Sequence, residues 1–352
     1  MINAFAVMQA RGLLEEFQYD PGPIGNTEVE IDVEYCGICH SDVSMIDNEW
    51  GRTVYPLVPG HEVIGTVAQA GSAVTTLKVG DVVGLGWHSR YCMTCITCMS
   101  GDHNLCPSVQ PTIVGRHGGF ADKVRAAAAS VVKLPPGMDK ATAGPLFCAG
   151  ITVFNPLLQF NIQPTDKVGV IGIGGLGHLA LKFLKAWGCE VTAFTSRESK
   201  KQEALAMGAS HTIDSTDPAA IAQHANAFDL IISTVDVKLD WSNFLVTLKP
   251  KGRLHFVGVP LDPLDIPVVA LLRAQKSVSA SPVGAPAAIA KMLDFAAHHG
   301  ITPEVEEYPV SRINDAVERL RSGAARYRVV LRMRGLSGTM RGEWKPPPAP
   351  TY

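Results

Sequence analysis

No apolar run in the 352-residue sequence is long enough to cross a bilayer, which takes about 20 consecutive apolar residues. A spanning helix is therefore not expected. Charge is scarce and nearly balanced: Asp, Glu, Lys and Arg make up 18% of the residues and the formal net charge is −2. That balance gives no electrostatic reason to expect a nucleic acid or an anionic membrane as partner. The stretch Met1 to Val7 has neither the basic start nor the long apolar core of an export signal. The expectation is a reducing, cytoplasmic setting, in which cysteines bind metal rather than pair with one another. No internal repeat is visible. Low complexity is confined to Lys345-Pro346-Pro347-Pro348-Ala349-Pro350, which predicts an extended, poorly packed tail over 336–352.

With 46% hydrophobic residues, the chain is a well-buried globular protein, and its length predicts two domains. Two textures are visible. From about Glu28 to Val132 the sequence is rich in Val, Ile and Thr and alternates at period two, as in Val29-Glu30-Ile31-Asp32-Val33. From about Ile151, strands alternate with helices. Strands are predicted at 168–171, 190–194, 211–214, 229–234, 253–258 and 277–281. Leu176, Leu179, Ala180, Phe183, Leu184 and Trp187 recur at helical spacing after the first of them. This pattern points to an α/β fold with a doubly wound parallel sheet. A helix is predicted over about 287–299, with Pro286 at its first turn. The stretch that follows, to about Met333, is expected to rejoin the first domain.

Cys92, Cys95, Cys98 and Cys106 fall within fifteen residues. Four thiolates at that spacing can enclose a tetrahedral Zn²⁺ with no open position, a structural zinc site. Independent buried thiols and disulfides are the competing readings, disfavoured by the regular spacing and by the absence of an export signal.

Gly172-Ile173-Gly174-Gly175-Leu176-Gly177 fits G-x-G-x-x-G directly after a predicted strand and before an amphipathic helix. Gly172 permits the tight turn, Gly174 lets the backbone approach a pyrophosphate, and Gly177 allows close helix–strand packing. Gly175 and Leu176 complete the loop at the helix N-terminus. At the end of the second strand an NAD enzyme usually carries Asp or Glu. Here the sequence is Phe194-Thr195-Ser196-Arg197-Glu198-Ser199-Lys200-Lys201. Thr195 takes the acidic position, Ser196 follows, and Arg197 with Lys200 or Lys201 can neutralise a 2′-phosphate. NADP(H) is the expected cofactor.

Cys39 in Cys36-Gly37-Ile38-Cys39-His40-Ser41-Asp42, His61 in Gly60-His61-Glu62, and Cys148 in Leu146-Phe147-Cys148-Ala149-Gly150 are further candidates that spacing alone does not unite. In combination these segments resemble the zinc-dependent medium-chain alcohol dehydrogenases, in their cinnamyl-alcohol-dehydrogenase-like branch. Gly60-His61-Glu62-Val63-Ile64-Gly65, with Gly71 and Val74, matches that family's zinc signature. The four-cysteine lobe and the glycine fingerprint follow in the family's order, and the likeness runs to about Met333.

The resemblance implies a Rossmann domain over 151–284 inserted into a β-rich GroES-like catalytic domain made of 1–150 and 285–335. It implies that Cys39, His61 and Cys148 hold a catalytic zinc acting as a Lewis acid on alcohol or carbonyl oxygen, so that two Zn²⁺ bind per chain. Asp42 is implied to orient the zinc-binding histidine, and Glu62 to stand behind the metal. Ser41 is implied to take the alcohol proton, His40 to contact the pyrophosphate, and Thr152 to lie near the nicotinamide. The family often carries a histidine three residues after the relay hydroxyl, where this chain has Ser44. Trp50, Leu57, Trp87 and Val283 lie in segments that line the substrate cleft in similar enzymes, with core packing an equal alternative for each. The expected substrate is a medium-chain aliphatic or aromatic alcohol or aldehyde, and the expected assembly a homodimer joined through edge strands near 277–281. A zinc-free quinone reductase would lack both metal constellations, and a polyol dehydrogenase would use a different ligand set. A non-catalytic zinc- and nucleotide-binding or redox-sensing protein is the alternative from another class.

Overall fold

A computed structural model describes residues 1–334; the predicted Pro-rich tail lies outside the described residues. The chain divides into two compact units, Met1–Ile151 with the segment from Val283 onward, and Thr152–Pro282.

The second unit is built on six parallel strands. Their order across the sheet is His211–Ile213, Glu190–Phe194, Lys167–Ile171, Phe228–Ser233, Leu248–Phe256, Ser277–Ala280. This is the doubly wound order in which the chain reverses direction beside its first strand, here between Lys167–Ile171 and Phe228–Ser233. A parallel sheet covered on both faces needs strands that are apolar throughout, and Val168, Val170, Ile171, Ile231 and Ile232 are all buried. Helix Gly177–Trp187 follows the first strand and ends at Gly188, whose φ of 105° is open to glycine. Leu248–Phe256 begins at Leu248 rather than at the expected Arg253. Lys249-Pro250-Lys251-Gly252 has turn composition. A register shift between Phe228 and Leu230 and a positive φ of 66° at Lys251 absorb it, and Leu248 still pairs with Phe228.

The first unit carries a seven-stranded sheet. Its order is Val305–Pro309, Arg328–Arg332, Glu28–Ile38, Glu62–Ala70, Val82–Leu85, Val131–Lys133, with Lys123–Ala127 also pairing to Glu28–Ile38. The eleven-residue strand Glu28–Ile38 organises the unit. Its first half takes Lys123–Ala127 and its second half takes Arg328–Arg332, both antiparallel. Two register shifts against Glu62–Ala70 bend it. The buried core includes Ile31, Val63, Phe120 and Val329. Helix Pro286–His299 has proline at its first position and closes on Gly300.

Register decides where chemistry collects. Gly37 pairs with Glu62, and Val329 with Ile38. Cys39, His61, Glu62 and Arg328 are therefore brought to one end of the sheet.

Candidate active site and metal centres

Cys92, Cys95, Cys98 and Cys106 are all free thiols whose sulfurs lie within 4.8 Å of one another. Cys92 Sγ is 3.9 Å from Cys98 Sγ, and Cys95 Sγ is 3.9 Å from Cys106 Sγ. A tetrahedral Zn²⁺ with Zn–S bonds of about 2.3 Å requires sulfurs about 3.8 Å apart, so the cage fits. The Cys95 amide donates to Cys92 Sγ at 3.3 Å and the Cys98 amide to Cys95 Sγ at 3.4 Å. Backbone donors, from Thr94 first and then Cys95, draw the Cys92 thiol down to about 6, while burial pushes Cys98 up to about 12.

The second group is Cys39, His61, Glu62 and Cys148, again within 4.8 Å and all buried. Cys39 stands at the junction of strand Glu28–Ile38 and helix His40–Asp47. Its sulfur lies 3.8 Å from Cys148 Sγ, and His61 Nε2 lies 3.3 Å from Cys148 Sγ. Two sulfurs and one imidazole nitrogen at these separations are a zinc-like donor set that leaves a fourth position for water or substrate. The Cys39 thiol is held well below its usual range, chiefly by the Cys148 thiol donating to it, with His61 and Arg328 adding to the effect; Cys148 is correspondingly raised.

Asp42 locks this arrangement. Its carboxylate accepts the Cys39 amide at 2.9 Å and the Gly60 amide at 2.8 Å, and meets His61 Nδ1 at 3.0 Å. Burial alone would lower the His61 pKa, but the Asp42 charge and hydrogen bond raise it well above its usual value. Gly60 has φ +99°, and a side chain there would strike Phe120 and Cys36. The His61 loop therefore needs glycine.

Glu62 is buried and ion-paired to the buried Arg328, yet its Oε2 has no hydrogen-bond partner. Burial pushes its carboxyl up to about 6, against the pull of Arg328. A Cβ at Gly37 would lie 2.0 Å from that oxygen, so glycine keeps the space open. Arg328 carried no signal in the sequence, because its partner Glu62 lies 266 residues earlier and only the fold brings the two together.

Ser41 Oγ lies 3.8 Å from Cys39 Sγ, and His40 is exposed at the start of the helix. Ser44 is buried and donates to Glu49 Oε2 at 2.7 Å. Trp87 stands edge-on to His61 at 4.9 Å and to Trp50 at 6.1 Å. Val283 and Trp87 border one small internal cavity with Phe147 and Gly284. Leu57 takes the core-packing alternative. It is 1% exposed, sits in the core and is hydrogen-bonded through its backbone to Val7.

In the second unit, Gly172 has φ +85° and Gly177 could take no side chain, since its Cβ would meet Gly172 O at 1.9 Å. Nothing lies within 4 Å of a Cβ at Gly174, so that face of the loop is open to a ligand. Leu176, at the start of the helix, gives it no side-chain cap, leaving amide donors for an anion. Thr195 is buried and its hydroxyl accepts the Arg197 amide at 3.4 Å. Ser196 and Arg197 are exposed, and Lys201 pairs with Glu198 at 2.6 Å. Lys200 Nζ reaches the Ile173 carbonyl at 2.5 Å. Thr152 is buried on helix Ala149–Gln159. Among the described residues, no single helix is long and apolar enough to cross a membrane.

The chain matches the alcohol dehydrogenase GroES-like domain over residues 25–136 and the zinc-binding dehydrogenase domain over residues 175–298. It is 61% identical to an aldehyde reductase, AdhA, of Synechocystis sp., over 94% of this chain and 98% of that protein. A solved cinnamyl alcohol dehydrogenase from Sorghum bicolor superposes with a TM-score of 0.91 at 38% identity, covering 97% of this chain and 99% of that one. The Helicobacter pylori cinnamyl alcohol dehydrogenase, solved in complex with NADP(H), gives a TM-score of 0.88 at 31% identity over 96% and 99%. The chain belongs to the zinc-dependent medium-chain alcohol dehydrogenases, in their cinnamyl-alcohol-dehydrogenase-like branch.

Proposed function

We propose that this alcohol dehydrogenase interconverts primary alcohols and aldehydes, medium-chain aliphatic or aromatic, with NADP(H), and that Cys39, His61 and Cys148 hold its catalytic zinc. The observation that carries the reading is the buried set of two thiols and one imidazole with an acidic anchor, Asp42, behind the histidine. When bound, zinc supplies Lewis-acid activation of the substrate oxygen and NADP(H) the hydride. The protein does the rest. Asp42 fixes the His61 ring and its tautomer. Ser41 takes the alcohol proton, and because Ser44 is committed to Glu49, water carries the proton onward. Trp50 and Trp87 offer aromatic surface beside His61 to an apolar substrate.

The four-cysteine set takes the structural zinc. The glycine loop takes the pyrophosphate, with Thr195, Ser196, Arg197 and Lys200 toward the adenosine ribose and its 2′-phosphate and Thr152 toward the nicotinamide. Residues 1–150 with 285–335 form the catalytic domain, and 151–284 the nucleotide domain. We further propose a homodimer through the Ser277–Ala280 edge, near which Val268, Val269 and Leu272 are exposed, and residence in a reducing cytoplasm, which suits eight free cysteines.

The test is the initial rate of aldehyde-dependent NADPH oxidation, with NADH alongside and a chelator-stripped sample as control. Benzaldehyde, cinnamaldehyde and a medium-chain aliphatic aldehyde serve as substrates. Zinc-dependent turnover favouring NADPH is expected. Turnover favouring NADH would remove the cofactor assignment alone. Bound zinc with no turnover would put the non-catalytic reading in its place.

A further inference from the structure

Three consecutive carbonyls of the glycine loop are each met by a side chain from elsewhere in the unit. Thr234 Oγ1 donates to Gly172 O at 2.8 Å, Lys200 Nζ to Ile173 O at 2.5 Å, and His178 Nδ1 lies 3.1 Å from Gly174 O. A carbonyl can only accept, so His178 carries a proton on Nδ1. The backbone amide of His178 donates to the same oxygen, also at 3.1 Å. His178 is 0% exposed, and no step described above uses it.

A planar trans peptide points its carbonyl and the following N–H in opposite directions. Fixing Gly172 O, Ile173 O and Gly174 O therefore fixes the N–H groups of Ile173, Gly174 and Gly175, each turned away from the donor that holds its own peptide. None of these three N–H groups has a hydrogen-bond partner among the described residues, and the space over Gly174 is open. Successive unpartnered amides at a helix N-terminus make a concavity suited to an anion. Glycine has no side chain to resist a flip of its peptide plane, so in a loop of this composition the orientation must be imposed from outside.

We infer that His178 is a positioning residue for nucleotide binding: its Nδ1–H and backbone N–H clamp the Gly174 carbonyl, so that the Gly175 N–H stays aimed at the pyrophosphate. The inference rests on the nucleotide reading of the loop. It separates the histidine from a helix-packing role, because packing would be indifferent to which ring atom donates.

The experiment is an equilibrium titration of the zinc-loaded protein with NADPH, followed by nucleotide fluorescence, and with adenosine 2′-monophosphate by competition. The second ligand carries the 2′-phosphate but no 5′-phosphate to reach the loop. An asparagine amide nitrogen occupies the place of Nδ1, whereas that of glutamine falls at Nε2. H178Q is expected to raise the NADPH Kd about tenfold, the equivalent of one lost charge-assisted hydrogen bond, and to leave the adenosine 2′-monophosphate Kd within about twofold. H178N is expected to hold the NADPH Kd within about threefold. Equal loss for both ligands, equal behaviour of the two variants, or unchanged NADPH binding in H178Q would each overturn the inference. A wild-type protein that binds neither ligand would overturn the nucleotide reading itself.

Discussion

Arg328 and Glu62 form an ion pair with side chains 3% and 0% exposed, and each keeps one polar atom without a partner, Nε of the arginine and Oε2 of the glutamate. Two charges taken out of water repay their desolvation only while both are present. Replacing Arg328 with methionine leaves the Glu62 carboxylate uncompensated, and should destabilise the protein by about 3–5 kcal/mol. The double variant Glu62→Gln, Arg328→Met should recover much of that loss. Urea denaturation of the single and double variants checks this; simple additivity would show that the two residues do not act as a pair.

Asp42 accepts from Cys39 N, Gly60 N and His61 with two carboxylate oxygens. Asparagine keeps the shape but turns an amide donor toward one of those donors. Asp42→Asn should therefore weaken zinc at the Cys39–His61–Cys148 set by about 10- to 100-fold, the usual effect of losing the group that orients a metal-binding histidine. Zinc release to a chromogenic chelator at graded concentrations reports it. The four-cysteine zinc, which Asp42 does not touch, should be unaffected in the same assay.

What was legible in the sequence was local. The glycine loop, its flanking strand and helix, and the four-cysteine lobe each lie within a few dozen residues, where periodicity and spacing carry the signal. Cys39, His61 and Cys148 are brought together only by the register of Glu28–Ile38 against Glu62–Ala70 and by the turn before helix Ala149–Gln159; in the sequence, family resemblance alone joined them. His178 was invisible for another reason. It follows the last glycine of the fingerprint and reads as one more residue on a buried helix face, whereas its role depends on a carbonyl four residues back.

The zinc lobe offers almost no hydrophobic core of its own: Tyr91, Cys98 and Cys106 are its only buried members among the described residues, and Ile96, Met99 and Leu105 are exposed. Metal binding must supply the folding energy such a lobe lacks. Cys98→Ala should reduce the zinc content from two per chain to one and lower the thermal midpoint by several degrees, about 1 kcal/mol corresponding to 2–4 °C in domains of 150–250 residues. Metal analysis alongside calorimetry decides the point. A variant that keeps both zinc ions, or loses one without any thermal cost, would contradict a structural role.

His255 gives the second unit a pH dependence of calculable sign. It is 0% exposed, lies 2.9 Å from both Ser279 Oγ and Ser281 Oγ, and stands edge-on to Phe160. Burial first, and the Arg253 charge second, push its pKa from 6.5 down to about 4. Between those values the unfolded chain binds the proton and the folded one does not, so unfolding takes up protons. The contribution to stability is complete above pH 6.5 and falls as the pH drops toward 4. At pH 5 the loss amounts to at most about 2 kcal/mol, at 1.36 kcal/mol for each pKa unit. Because other groups also titrate in this range, the quantity to measure is the stability difference between pH 7 and pH 5 in the wild type minus that in His255→Gln. A positive remainder of one to two kcal/mol, about the size this linkage allows, is expected; a remainder of zero would mean that His255 takes up its proton at the same pH in the folded protein as in the unfolded chain.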